Sequence, residues 1–246
     1  MSQRAADLGA TVILSARREA VLREVAATLP AHGGPHEVLP VDLTNPDALR
    51  ASAKTAGRVD YLINNGGISQ RAKAIDTNMA VLRRLFEINF FGYIELTKAV
   101  LPQMLERGTG HIAAVSSVVG HIGTPMRSAY AASKHALHGY YNSLRYEVEQ
   151  QGLGVTIICP GYIHTDISKN AVVGDGSAQG TMDVNQANGM SPERFAEKAW
   201  KGLLAGKPEL HIGGQELAGI YLNRFAPGLL RKIVRGRAWD GEVENQ

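Results

Sequence analysis

The chain has 246 residues, 44% hydrophobic and 20% charged, enough for one sizeable α/β domain. Its formal net charge is only +3, and its 26 Lys and Arg are spread along the chain, so no basic arm singles out nucleic acid as a partner. The single Cys159 excludes an internal disulfide framework, and neither a cationic leader nor an apolar run of membrane-spanning length stands out, so the expectation is a soluble protein of a reducing compartment, the cytoplasm.

In chain order, Ala5 to Gly9 reads as the closing turns of a helix with Gly9 as its stop, and Thr11 to Ala16 as a buried strand. Glu19 to Leu29 is an amphipathic helix and Glu37 to Asp42 a strand. Pro46 to Ala56 is a helix capped by Thr44 or Asn45, and Val59 to Ile63 the next strand. Met79 to Glu106 is a long helical segment interrupted near Gly92, Gly110 to Ser116 a strand, and Ala129 to Gln151 an Ala-rich helix. Val155 to Cys159 is a strand ending at Pro160-Gly161. Residues 165–190, with Gly174, Gly176, Gly180 and Gly189 among polar residues, are too long for an ordinary connection and predict a substrate lid or binding loop, with Val172, Val173 and Met182 as its apolar candidates. Ser191-Pro192-Glu193 restarts a helix, Glu209 to Ile212 is a last short strand, and 215–246 is a helical tail broken at Ala226-Pro227-Gly228. Alternating strands and helices predict an α/β fold of one domain over 1–246, a Rossmann-type doubly wound parallel sheet in three α/β/α layers.

In such sheets ligands sit at the carboxyl ends of the strands. There the chain places Asn64-Asn65-Gly66-Gly67, Ser116-Ser117 and Pro160-Gly161, while Asn89 interrupts a helix and Tyr130 and Lys134 share one face of the helix after Ser117. A Tyr hydroxyl titrates near 10, too high for a base at neutrality, and the Lys134 ammonium is placed to favour the phenolate. Ser117 is placed to hydrogen-bond a carbonyl or alkoxide oxygen while Tyr130 moves the proton and a nicotinamide the hydride. Asn89 would open the local helix and hold a water leading to Lys134. Taken singly, each piece also fits a turn, a strand end or an exposed helix face, and the joint order carries the reading.

That order resembles the short-chain dehydrogenases/reductases over nearly the whole chain from Gly9 onward. The family patterns stand here as Asp42-Leu43, Asn64-Asn65-Gly66-Gly67 (Ala is usual at the third place), Asn89-Phe90-Phe91-Gly92, Ser116-Ser117-Val118-Val119-Gly120, Tyr130-Ala131-Ala132-Ser133-Lys134 and Pro160-Gly161-Tyr162-Ile163-His164-Thr165. The 13-residue spacing from Ser117 to Tyr130 selects the second serine, so the resemblance implies a tetrad of Asn89, Ser117, Tyr130 and Lys134. RSAYAASKHA, PGYIHT and GDGSAQGTMD are similar to the branch of dehydrogenase/reductase members 7 and 7B, whose substrates are lipophilic carbonyls or alcohols. The resemblance further implies Asp42 and Leu43 beside the adenine, Asn65 and Gly66 at the adenosine ribose, Tyr130 and Lys134 at the nicotinamide ribose, and Ile163 with Thr165, after the Pro160-Gly161 turn, at the carboxamide. Asn64 is expected to brace neighbouring strands. Ser15-Ala16-Arg17-Arg18 ends the first visible strand without an acid, which favours NADP over NAD through Arg17 and Arg18.

In the family a first strand and a Gly-rich turn precede the helix that here begins the chain. Their absence predicts unpaired ladder groups on both neighbouring strands and weak cofactor binding. Three explanations stand: an internal Met of a longer reading frame, a shortened form, or neighbours that close the gap. The expected function is carbonyl–alcohol oxidoreduction on a lipophilic substrate, and the alternative is a non-catalytic remnant or binding module of the same fold. Phe86, Phe90, Phe91 and Tyr141 suit the four-helix contact of a homodimer or homotetramer, or ordinary core. The tail interleaves Tyr221, Leu222, Phe225, Leu229, Leu230, Ile233 and Val234 with Arg224, Arg231, Lys232, Arg235 and Arg237, which suits an anionic membrane surface or packing on its own domain. His121 and His164 are near the expected cleft, and no ligand spacing in the sequence suggests a metal.

Overall fold

The computed structural model describes residues 1–32 and 34–241, and side chains as far as Gly236. Gly33, residues 242–246 and the side chains from Arg237 onward lie outside the described residues, and with them the end of the predicted tail stripe.

The elements follow the alternation of the sequence. Helix α1 (Ser2–Asp7) ends at Gly9, whose φ of +89° suits only glycine without strain. Then come β1 (Ile13–Leu14), α2 (Glu19–Thr28), β2 (Glu37–Val38) and α3 (Pro46–Thr55), where Asn45 accepts the Ala48 N–H at 3.0 Å and so is the cap. Strand β3 (Tyr61–Asn64) precedes α4 (Met79–Phe86), a π-turn over Glu87–Phe91 and α5 (Gly92–Arg107). Next are β4 (Gly110–Val115), α6 (Ser128–Val148), β5 (Leu153–Pro160) and the short α7 (Val184–Ala187). The chain continues with α8 (Pro192–Leu204), capped by Ser191, then β6 (Glu209–Ile212), α9 (Ala218–Phe225) and α10 (Pro227–Gly241).

All strand pairs are parallel, in two sheets ordered β1-β2 and β3-β4-β5-β6. Alternation along β4 and β5 divides the core. Ile112, Ala114, Val155, Ile157 and Cys159 face α5 and α6 with Tyr93, Val100, Met104, Leu137 and Tyr141. Ala113, Val115, Ile158, Leu210 and Ile212 face the other way, onto Phe195, Ala199, Trp200 and Leu203 of α8 and Ala5 of α1. Both faces of the central strands are therefore apolar, as a helix-covered parallel sheet requires. The two sheets share no ladder among the described residues, so the idea that the neighbours close the gap is not realised. Val12 and Ile63 each pack against the α8 cluster, and the Met1 carbonyl accepts the Trp200 Nε1–H at 3.0 Å.

The first two strands are shorter than the runs Thr11 to Ala16 and Glu37 to Asp42. Backbone bonds from Glu37, Leu39 and Val41 to Val12, Leu14 and Ala16 span the whole predicted pairing, but regular two-sided geometry is kept only at Ile13–Leu14 and Glu37–Val38. Asn64 braces helices rather than neighbouring strands, donating to Thr97 Oγ1 at 3.1 Å and to the Tyr141 hydroxyl at 3.2 Å. Tyr141 is therefore fully buried core and unavailable to a second chain. Phe91 remains exposed, and Phe86 and Phe90 are half-buried.

Candidate active site

A cleft of about 850 Å³ opens at the carboxyl ends of β3, β4 and β5. Its walls include Asn65 and Gly67 after β3, Ser116 and Ser117 after β4, Tyr130 and Lys134 on α6, and Pro160, Gly161, Ile163 and Thr165 after β5.

The two serines differ in their commitments. Ser116 Oγ is buried, donating to the Lys134 carbonyl at 3.2 Å and lying 2.9 Å from His138 Nε2. Ser117 Oγ accepts the Val119 N–H at 3.3 Å and lies 3.5 Å from the Pro160 carbonyl oxygen. Ser117 is partly exposed on the cleft wall, whereas Ser116 is buried.

Asn89 sits in the π-turn, where the helix ladder opens. Its Oδ1 accepts the Ile68 N–H at 2.9 Å, and its Nδ2 donates to the Ile68 carbonyl at 2.9 Å and to Ser133 Oγ at 3.1 Å. A Cβ on Gly67 would stand 3.0 Å from Asn89 Oδ1 and 3.7 Å from Lys134 Nζ, so this position has little room for a side chain. Lys134 Nζ donates to the Val115 carbonyl at 2.8 Å and lies 5.5 Å from the Tyr93 ring centroid. Burial lowers its pKa to about 7.

Burial also raises the Tyr130 pKa, opposed by the Ser117 hydrogen bond and by Arg71 and Arg127. Lys134 Nζ lies 5.9 Å from the Tyr130 ring centroid, and Arg71 and Arg127 are further cations that favour the ionised form of Tyr130. Their shared partner is Asp183 on the lid. Arg71 Nε donates to Asp183 Oδ2 at 2.9 Å, Arg71 Nη2 meets the same oxygen, and Arg127 Nη2 lies 3.3 Å away. No spacing pointed to these residues, because the three stand far apart in sequence.

The loop over 165–190 is sewn to the segment after β3. The Val172 N–H donates to the Ser69 carbonyl and the Arg71 N–H to the Val172 carbonyl, each at 2.9 Å. Asp166, Ile167, Asn170, Asn185 and Gln186 line the cleft, whereas Val172 is buried against Leu85 and Tyr130, and neither Val173 nor Met182 is in the wall. Gln70, fully buried, accepts the Ala129 and Tyr130 N–H groups with its Oε1 at 2.9 and 3.2 Å and so caps α6. Glu216 braces the turn after β5, where its Oε1 accepts the Tyr162 and Gly214 N–H groups at 2.9 and 3.0 Å. The tail contributes Leu222, Leu230, Ile233 and Val234 to the cleft, so packing on the body takes part of the predicted stripe, while Tyr221, Phe225 and Leu229 stay exposed.

Arg17, Arg18, Asp42, Leu43 and Gly66 lie outside the cleft wall. Asp42 accepts the Thr44 N–H and hydroxyl, each at 2.9 Å, and these bonds, with Arg17 and Arg84 nearby, hold its pKa low. The Gly66 carbonyl accepts the Tyr93 hydroxyl at 2.6 Å, and a Cβ there would stand 3.0 Å from the Leu43 side chain. The nicotinamide end of a dinucleotide fits the residues present, since Tyr130, Lys134, Ile163 and Thr165 share one cleft.

Beyond the cleft wall the fold gathers His121, Cys159, Glu209 and His211, with ligand atoms all within 4.8 Å of one another. Bonding to His121 foremost holds the Glu209 pKa down to about 2, and burial raises that of the Cys159 thiol. Period two along β6 places Glu209 and His211 on one face, a signal present in Glu209-Leu210-His211.

A family model described as short chain dehydrogenase matches residues 1–175. Dehydrogenase/reductase SDR family member 7B of Bos taurus is 42% identical over 241 residues, covering 94% of this chain and 74% of the relative. Dehydrogenase/reductase SDR family protein 7-like of Drosophila melanogaster is 40% identical, covering 94% and 73%. Among solved structures, a short-chain dehydrogenase from Streptomyces avermitilis is 31% identical with a TM-score of 0.78 over 95% of this chain and 92% of that one. One from Sphingobium yanoikuyae, solved in complex with NADPH, is 25% identical with a TM-score of 0.76 over 93% and 89%. No described helix is long and apolar enough to cross a membrane.

Proposed function

The chain belongs to the short-chain dehydrogenase/reductase family, in its member 7 branch, and from that premise we propose that it is an NADP-dependent oxidoreductase interconverting a lipophilic carbonyl and its alcohol, with Tyr130 as the acid and base. The observation that carries the reading is one cleft lined together by Ser117, Tyr130 and Lys134, to which Leu222, Leu230, Ile233 and Val234 add apolar surface.

The cofactor, when bound, supplies or accepts the hydride. In reduction Tyr130 donates its proton to the carbonyl oxygen as that oxygen gains charge, and Ser117 hydrogen-bonds the same oxygen. Arg71 and Arg127 hold the phenolate so formed, and Lys134, with a pKa near neutrality, returns the proton. Asn89 keeps the Ile68 backbone and Ser133 in place beside it. Pro160, Gly161, Ile163 and Thr165 would hold the nicotinamide half, and Asp42, Leu43, Asn65 and Gly66 the adenosine half. Arg17 and Arg18, at a strand end without an acid, favour the 2′-phosphate. The exposed Phe91 with half-buried Phe86 and Phe90 supports a second copy packed on this face.

The test is NADPH oxidation with a panel of apolar aldehydes and ketones, alongside thermal shift with NADPH and NADH. Tyr130→Phe is expected to lose turnover about 10²–10⁴-fold while keeping its melting temperature. NADPH at a hundredfold over its Kd is expected to add about 2.7 kcal/mol of stability. Turnover retained in Tyr130→Phe overturns the reading. The separation of β1 from β3 supports a second one, a fold that keeps the substrate cleft and binds cofactor weakly. A thermal response to neither nucleotide is its signature.

A further inference from the structure

We propose that His121, Cys159, Glu209 and His211 form a four-coordinate zinc site that fastens the floor of the cleft. Three chain segments meet there. His121 follows the 3-10 turn after β4, Cys159 is near the end of β5, and Glu209 and His211 point to the same face of β6. Parallel register sets Cys159 directly beside His211.

One carboxylate oxygen, Glu209 Oε1, is the meeting point. It lies 2.8 Å from His121 Nε2, 3.0 Å from His211 Nε2, 3.5 Å from Cys159 Sγ and 3.9 Å from His138 Nδ1. A carboxylate oxygen has two lone pairs, so the three groups within 3.5 Å, His121, His211 and Cys159, oversubscribe it. A cation among these atoms removes the excess, because each nitrogen and the sulfur then turns a lone pair inward. Zinc bonds of about 2.0–2.1 Å to nitrogen and oxygen and about 2.3 Å to sulfur place tetrahedral donors roughly 3.3–3.6 Å apart. The Cys159 Sγ to His121 Nε2 distance is 3.5 Å, as is that from Sγ to Glu209 Oε1, and the nitrogen to oxygen distances need to open by only a few tenths of an ångström.

The donor set selects the metal. A thiolate with two imidazoles suits zinc and rejects magnesium or calcium. All four positions come from protein and none of the four residues lines the cleft, so the site is structural in type. Outer partners are also in place. His138 Nε2 stands 3.8 Å from Cys159 Sγ and 2.9 Å from Ser116 Oγ, and the His121 carbonyl accepts Asn223 Nδ2 at 2.8 Å. Because Cys159 precedes Pro160 and His121 precedes Ile122, the ion would tie two cleft walls to the sheet edge.

The experiment uses the full chain without a histidine tag, stripped with a chelator and titrated with Co²⁺, then with Zn²⁺. One equivalent of Co²⁺ is expected to bind with a thiolate charge-transfer band and tetrahedral visible bands, Zn²⁺ to displace it, and Zn²⁺ to raise the melting temperature. Cys159→Ser should abolish the charge-transfer band, and His211→Gln, at a partly exposed ring, should weaken Zn²⁺ binding about tenfold or more with the circular dichroism unchanged. Absence of stoichiometric binding overturns the proposal, as does equal Zn²⁺ affinity in a folded His211→Gln.

Discussion

Asp183→Asn isolates the latch between lid and cleft. Asp183 is the common acceptor of Arg71 and Arg127, with side chains 21%, 13% and 17% exposed. Burial alone would raise its pKa, yet the Arg71 and Gln179 hydrogen bonds outweigh that and the net shift is down, so the carboxylate is charged at neutrality. Removing one partner of a buried ion pair costs roughly 3–5 kcal/mol, and the residual exposure here puts the loss at about 2–3 kcal/mol. For a chain of this length that is about 4–12 °C in Tm, readable by differential scanning fluorimetry. The same substitution removes the carboxylate that offsets Arg71 and Arg127, so their opposition to the burial-raised Tyr130 pKa grows. The acidic limb of kcat/KM for alcohol oxidation, set by Tyr130 as base, should therefore move to lower pH even as stability falls, and Arg71→Gln should move it the opposite way. An unchanged Tm, or limbs that shift together in both variants, refutes the latch.

Two further outcomes follow from single positions. Lys134 titrates at about 7 when folded against an ordinary 10.5, so between those values the unfolded chain holds the proton that the native chain has lost. Native stability should rise with pH across that window, and urea midpoints at about pH 7 and pH 10 should show a slope that Lys134→Met flattens. Gly152 has φ +82°, and a Cβ there would stand 2.3 Å from the Gly108 carbonyl oxygen, so Gly152→Ala should cost about 1–3 kcal/mol in urea unfolding.

Much of the fold was legible because local signals agreed with tertiary demand. Glu209 to Ile212 and the capped helix from Pro192 appear where the pattern puts them, and Asn89 with Gly92 marked the break that the π-turn fills. Strand lengths near the chain start were not, since pairing geometry depends on what flanks β1 rather than on its own residues. The spacing of Ser117 and Tyr130 placed both at one cleft, which the structure also lines with them. Arg71, Arg127 and Asp183 were not legible, because their pairing spans 56 and 112 residues and charged residues on loops carry no period. The Cys159–His211 neighbourhood likewise exists only through strand register.

The Gln70 cap has a consequence for how the molecule opens. First-turn amides of a helix ordinarily exchange with solvent hydrogen soon after any fraying. Those of Ala129 and Tyr130 are bonded to a fully buried carboxamide that arrives from the far side of β3, and the adjoining Ser69 and Arg71 are bonded to the loop at Val172. Exposing the Tyr130 amide thus requires the exit of β3, the loop and the head of α6 to part in one event. These three distant stretches should share a single protection factor in native-state hydrogen exchange, a cooperative unit held together at one glutamine.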